Sequence, residues 1–172
     1  MALALAYLII IIYSISLLLI FFYSLAQLNL LINYLSQKRQ NQTAPKFNLL
    51  DPREIPFVTI QLPVFNEEYV MDRLLENIAK IEYPKSKLEI QVLDDSTDDT
   101  VTATAASVAR LQKTGLDIQH ITRTDRSGFK AGALKEGLKI AKGEFIAIFD
   151  ADFLPASDWL KKTVIYFKDE EI

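Results

Sequence analysis

Cysteine is absent from the 172-residue chain, which excludes disulfides and thiolate metal sites and is compatible with a reducing compartment. Histidine occurs once, as His120 in a strand-like segment, where a solitary imidazole is more often structural than catalytic. There is no excess of positive charge: 19 Lys and Arg stand against 22 Asp and Glu, so no broad basic field points to nucleic acid. No Gly-x-Gly-x-x-Gly follows the first strand and no glycine-lysine-serine/threonine P-loop occurs, which excludes the usual dinucleotide and P-loop sites. Charge of either sign is missing from every side chain before Lys38.

That last absence marks a long hydrophobic run. Residues 2–25 are almost wholly Leu, Ile, Ala, Phe and Tyr, long enough to cross a bilayer as a helix. The run softens through Gln27, Asn29 and Asn33, with Tyr34 suited to an interface. A cleaved signal peptide would have a basic start, a shorter apolar core and a small-residue cleavage site, so residues 1–37 read as a transmembrane anchor. Lys38, Arg39 and Lys46 follow the span, and the positive-inside rule puts the downstream domain in the cytoplasm. Residues 38–56 read as a polar juxtamembrane linker.

From residue 57 to 172, strand and helix patterns alternate. Strands are expected at 57–62, stopped by Pro63, then at 88–93, 117–121 and 145–149. Between them lie helices whose inward faces are read as Val70, Leu74, Ile78 and Ile81; then Val101, Ala105, Val108 and Leu111; then Leu134, Leu138 and Ala141. A last helix, capped by Ser157 or Asp158, carries Leu160, Val164 and Phe167. Repeated crossovers imply an α/β domain with a mostly parallel sheet covered on both faces. The chain stops at Ile172 directly after a helix and reads as part of a longer protein.

Polar clusters fall at three strand ends, Asn66-Glu67, Asp94-Asp95 and Asp150-Ala151-Asp152, and a parallel sheet brings such ends to one edge. In an extended chain Asp150 and Asp152 face the same way, and two converging carboxylates suit a hard divalent cation. One of Asp94 and Asp95 could accept hydrogen bonds from a base or sugar while the other caps the next helix, and Glu67 fits a helix-start acid as well as a ligand contact. Arg123, Arg126 and the run Ser127-Gly128-Phe129-Lys130-Ala131-Gly132 bring glycines, a lysine and a helix start together, which suits phosphate.

The four stretches Gln61-Leu62-Pro63-Val64-Phe65-Asn66-Glu67, Gln91-Val92-Leu93-Asp94-Asp95-Ser96-Thr97-Asp98, Gly128-Phe129-Lys130-Ala131-Gly132-Ala133-Leu134 and Phe149-Asp150-Ala151-Asp152 resemble the ordered motifs of family 2 glycosyltransferases, in the cellulose synthase-like and mannan synthase-like branch. The resemblance covers roughly Val58 to Phe167. It implies an A-type glycosyltransferase fold, incomplete here, that moves sugar from a UDP- or GDP-sugar donor to a growing β-linked polysaccharide with inversion. It further implies that Glu67 and Asp94 contact the nucleoside, Pro63 and Phe65 shape its pocket, Lys130 meets the diphosphate, and Asp150 and Asp152 hold Mg²⁺ or Mn²⁺. The family's Thr-Glu-Asp and Gln-x-x-Arg-Trp segments have no match, so the catalytic base is expected beyond Ile172 and the chain alone is expected to be inactive. The alternatives are a membrane-anchored nucleotide-sugar binder without catalysis, a haloacid-dehalogenase-like phosphohydrolase with Asp150 as nucleophile, and a receiver domain.

Overall fold

The structure is a computed structural model that describes residues 2–39 and 52–168. Most of the linker expected at 38–56 therefore lies outside the described residues, as does Lys46. The chain divides into two compact units, Met1–Ala44 and Pro45–Ile172.

In the first unit, α1 (Ala2–Arg39) is a single helix of 38 residues, about 57 Å long at 1.5 Å per residue. Its apolar part, Leu3–Ser36, has a mean hydropathy of 2.7 and is long and apolar enough to cross a membrane. Large apolar side chains project on every side of it rather than along one stripe, so no face is reserved for a polar solvent. The hydroxyls of Ser14, Ser16 and Ser24 donate to carbonyls one turn back at 2.8, 2.9 and 2.9 Å, leaving none of these donors unsatisfied. The helix continues two residues past the expected end of the anchor, through Lys38 and Arg39.

The second unit is built on four parallel strands in the order β3-β2-β1-β4. They are β1 (Val58–Val64), β2 (Leu88–Asp94), β3 (Asp117–Thr122) and β4 (Phe145–Ile148). Even-numbered residues of β1 and β2, among them Ile60, Leu62, Ile90 and Val92, enter a core with Met71, Leu74, Leu75, Ile78, Val108 and Leu111 from α2 (Glu68–Ile78) and α3 (Thr100–Gln112). The odd-numbered residues face α4 (Phe129–Ile140), and this layer is polar yet buried. Gln61 donates to Gln91 across the strands at 3.0 Å. The Thr59 hydroxyl donates to Glu89 at 2.7 Å and accepts from the Gly143 N–H at 2.8 Å, while the Lys142 N–H donates to Glu89 at 2.9 Å. Thr59, Gln61, Glu89 and Gln91 are thus each partnered within this layer, as burial demands. The last described elements are α5 (Trp159–Val164) and a 3₁₀ turn, Ile165–Lys168.

Several local expectations are corrected. Pro63 does not stop β1, which runs on to Val64. The pairing of β1 with β4 ends at Gln61, whose carbonyl accepts from Phe149 at 3.1 Å, so the N–H that Pro63 lacks would point past the last rung. On α3, Ala105 is exposed, while Thr100, Thr104 and Ser107 are buried beside Val108 and Leu111. On α4, Leu138 is exposed and Leu134 half-buried; the inward residues are Ala133 and Gly137. A Cβ on Gly137 would lie 2.7 Å from Gln61 Nε2 and 2.8 Å from Gln91 Oε1, so the helix rests too close to the sheet for a larger side chain. Phe167 is exposed but stacks on Phe145 at 4.7 Å, and Ile165 takes the buried place.

Candidate donor-binding site

The three polar strand ends meet, as a parallel sheet requires. After β1, Asn66 adopts φ +54, a left-handed conformation that asparagine tolerates better than most residues. Its N–H donates to Ser96 Oγ at 2.9 Å and its Oδ1 accepts from the Thr97 N–H at 2.9 Å, stapling the β1 loop to the β2 loop.

After β2, strand alternation sends neighbouring aspartates to opposite faces. Asp94 points toward the α2–α3 side, fully buried, accepting from the Ser96 N–H at 2.9 Å and sitting 2.8 Å from His120 Nε2. Burial alone pushes its carboxyl up, but hydrogen bonds from His120 and Ser96 outweigh that and hold it below the ordinary 3.8. His120 is thus tied to Asp94, linking β3 to β2. Asp95 turns to the α4 side and is gripped by Arg123.

A cleft of about 650 Å³ opens on that side. Pro63, Phe65, Glu67, Lys130, Asp150 and Asp152 line it, as do Asp95, Arg126 and Phe129; Asp94 does not. Asp150 and Asp152 reach it from a turn rather than from strand, because β4 ends at Ile148 and the Phe153 N–H bonds back to the Asp150 carbonyl at 3.0 Å. Lys130, from the first turn of α4, forms an ion pair with Asp150, both side chains being about half exposed. Partial burial raises the Glu67 carboxyl above its ordinary value, and repulsion from Asp152 and Asp150 raises it further against the pull of Lys130. The four charges thus share one space. Among the described residues no group of three His, Cys, Asp or Glu could hold a metal by itself.

Three of these residues were not singled out in the sequence as donor contacts. Arg126 lies with its guanidinium 3.8 Å over the Phe65 ring, and its buried Nε has no hydrogen-bond partner. Phe129, in the left-handed region at φ +47, holds its ring exposed at the cleft. Arg126 and Phe129 stood in the basic loop; nothing local distinguished them. Asp95 could have been chosen over Asp94 by extending the β1–β2 alternation two residues further.

The Asp94–His120 pair yields a stability prediction. Because the folded value lies below the unfolded one, the unfolded chain takes up the proton first as pH falls. The contribution is complete above pH 3.8 and is lost as pH drops through the folded value. Asp94→Asn is expected to cost about 1–3 kcal/mol at neutral pH and to flatten the acid limb of a stability–pH curve measured by denaturant unfolding. An unchanged acid limb would contradict the pairing.

A parallel sheet with acids and cations lining a cleft at its carboxyl edge defines an α/β domain of the kind that takes its ligands at that edge. A family model described as "Glycosyl transferase family 2" matches residues 59–172, and the chain belongs to this family. Among curated proteins it is 42% identical over 115 residues to glucomannan 4-beta-mannosyltransferase 9 of Arabidopsis thaliana, a match covering 64% of this chain and 22% of that protein. It is 36% identical over 151 residues to glucomannan 4-beta-mannosyltransferase 1 of Cyamopsis tetragonoloba, covering 83% and 28%. Among solved structures it is similar to the mannosyltransferase PcManGT from Pyrobaculum calidifontis in complex with GDP-Man and Mn²⁺, with a TM-score of 0.62 and 36% identity over 83% of this chain and 41% of that one. It is also similar to S. aureus TarS 1-349 in complex with UDP-GlcNAc, with a TM-score of 0.53 and 26% identity over 67% and 32%. The chain therefore spans about a quarter of the length of these curated relatives. The fold is the parallel α/β glycosyltransferase A type.

Proposed function

We propose that this chain is the donor-binding part of a membrane-anchored, inverting glycosyltransferase that extends a β-linked polysaccharide from a nucleotide-sugar. The observation that carries the reading is the pairing of Lys130 with Asp150 in a cleft that is also lined by Asp152, Glu67 and Arg126, whose buried Nε has no hydrogen-bond partner.

In this reading Pro63 and Phe65 frame the nucleoside, with Glu67 as the polar contact on the cleft side, while Asp95, both of its oxygens taken by Arg123, stays in the wall. Asp94 acts from behind, through Ser96 and His120, by fixing the ends of β2 and β3. Lys130 leaves Asp150 for the diphosphate, and Arg126 offers it further donors. Asp150 and Asp152, two exposed carboxylates one residue apart, would hold Mg²⁺ or Mn²⁺ beside the diphosphate. When bound, the ion supplies Lewis-acid stabilisation of the leaving diphosphate. As the bond from sugar to phosphate breaks, negative charge grows on the diphosphate and positive character on the sugar. Lys130 and Arg126 interact more strongly with that charge than with the ground state, which lowers the barrier. The base that takes the proton of the acceptor hydroxyl is assigned to enzyme outside these 172 residues, in keeping with the greater length of the relatives.

The apolar α1 serves as the anchor in the lipid bilayer, and Lys38, Arg39 and Lys46 favour a cytoplasmic site domain. The test is a screen of GDP- and UDP-sugars with the polypeptide extended to the length of its relatives, in membranes. Given the mannosyltransferase relatives, GDP-mannose is the first donor expected to give polymer. Absence of transfer from every donor would sink the proposal.

A further inference from the structure

Arg123 belongs to the basic loop in sequence, but its side chain does not line the cleft. It borders a neighbouring hollow of about 520 Å³ beside β3 and α4. Its Nε and Nη2 donate to the two oxygens of Asp95, each at 2.6 Å. Its Nη1 donates to the Ser127 carbonyl at 2.9 Å, and Nη2 donates again to the Phe129 carbonyl at 2.7 Å. Both charged side chains are nearly buried, at 14% and 6% exposure, so the pair is an internal fixture rather than a surface ion pair. Only a planar guanidinium offers a carboxylate fork and two further donors in these directions; an ammonium does not.

The neighbouring backbone is built around this fixture. A Cβ on Gly132 would overlap the Ser127 carbonyl oxygen and come within 2.6 Å of Arg123 Nη1. Gly128 at φ +75 and Phe129 at φ +47 carry the chain through a left-handed turn into α4. The lone pairs of the Ser127 and Phe129 carbonyls are directed to Arg123, on the side of the second hollow. What the loop presents to the cleft is the Arg126 guanidinium and the Lys130 ammonium. Carbonyl oxygens turned the other way would repel an anion there.

We infer that Arg123, seated on Asp95, is a positioning residue for the phosphates of the donor: it holds the 126–130 loop so that Arg126 and Lys130 converge on the cleft while two carbonyls are kept away from the anion. It touches no ligand itself. The inference rests on the donor-binding function proposed above. It also separates two arginines three residues apart, giving Arg126 to the ligand and Arg123 to the scaffold.

The test compares the unaltered 172-residue chain with Arg123→Lys and Asp95→Asn in detergent micelles containing Mn²⁺. GDP and UDP, and the matching nucleosides guanosine and uridine, are titrated by nuclear magnetic resonance, and thermal unfolding is followed alongside. The unaltered chain is expected to bind one diphosphate. Arg123→Lys is expected to weaken that diphosphate by about tenfold or more, the equivalent of one charge-assisted hydrogen bond, and to leave its nucleoside within about twofold. Asp95→Asn, which keeps the shape of the seat, is expected to produce the same selective loss in smaller measure. Diphosphate affinity unchanged in both variants would overturn the inference alone. So would equal loss of nucleoside and diphosphate with a lowered unfolding temperature, which marks a purely structural role. If the unaltered chain binds neither diphosphate, the donor-binding function falls, and this inference with it.

Discussion

Asp150→Ala or Asp152→Ala, made in the polypeptide extended to the length of its relatives, is expected to lower sugar transfer by about 10²–10³-fold or more, the scale on which loss of a group aimed at developing charge is felt. The two variants should differ in a second readout. Asp150 is also the partner of Lys130, so its removal frees an ammonium for phosphate while taking away one carboxylate. Asp150→Ala should therefore retain part of its diphosphate affinity and bind with less dependence on added metal. Asp152 has no such partner in the described residues, and Asp152→Ala should lose metal dependence and affinity together. Binding titrations at several Mn²⁺ concentrations distinguish the two. Unchanged activity and metal dependence in either variant would remove the metal assignment.

The second large effect is expected at Gly132. An added methyl would overlap the Ser127 carbonyl oxygen, a backbone atom, and press on Arg123, which is already committed to four hydrogen bonds. Neither neighbour is the free end of a flexible side chain. Gly132→Ala should destabilise by about 1–3 kcal/mol, as overpacked sites do, and displace the loop bearing Lys130. Gly115→Ala is the control: nothing lies within 4 Å of its Cβ position, and its cost is confined to backbone strain at φ +82. Denaturant unfolding of both variants should rank Gly132 well above Gly115. The reverse order would mean that the loop is free to shift away.

How far the sequence anticipates these features depends on the kind of interaction involved. Four strands and their crossovers follow from short apolar runs such as Ile60-Gln61-Leu62 and Phe145-Ile146-Ala147-Ile148, and the strand-end clusters follow from the parallel arrangement. The inward faces of α3 and α4 do not follow from hydrophobic spacing. Thr100, Thr104 and Ser107 are buried on α3, and small residues bring α4 down onto a polar sheet face. That face is stable because Thr59, Gln61, Glu89 and Gln91 satisfy one another across strands some 30 positions apart, which no local window contains. The same long range separates Asp94 from Asp95. Both are acids at a strand end that alternation turns to opposite faces, and distant partners, His120 and Arg123, hold one in the scaffold and the other at the cleft wall.

The central claim is that the acids and cations of this cleft form a metal-assisted grip on a nucleoside diphosphate. It is tested most directly by titrating the 172-residue chain with GDP and with UDP in the presence of Mn²⁺ or Mg²⁺, then repeating the titration with a chelator. One of the two nucleotides is expected to bind, and chelation is expected to weaken it by about tenfold or more, at least 1.4 kcal/mol. Equal affinity with and without the chelator would contradict the account.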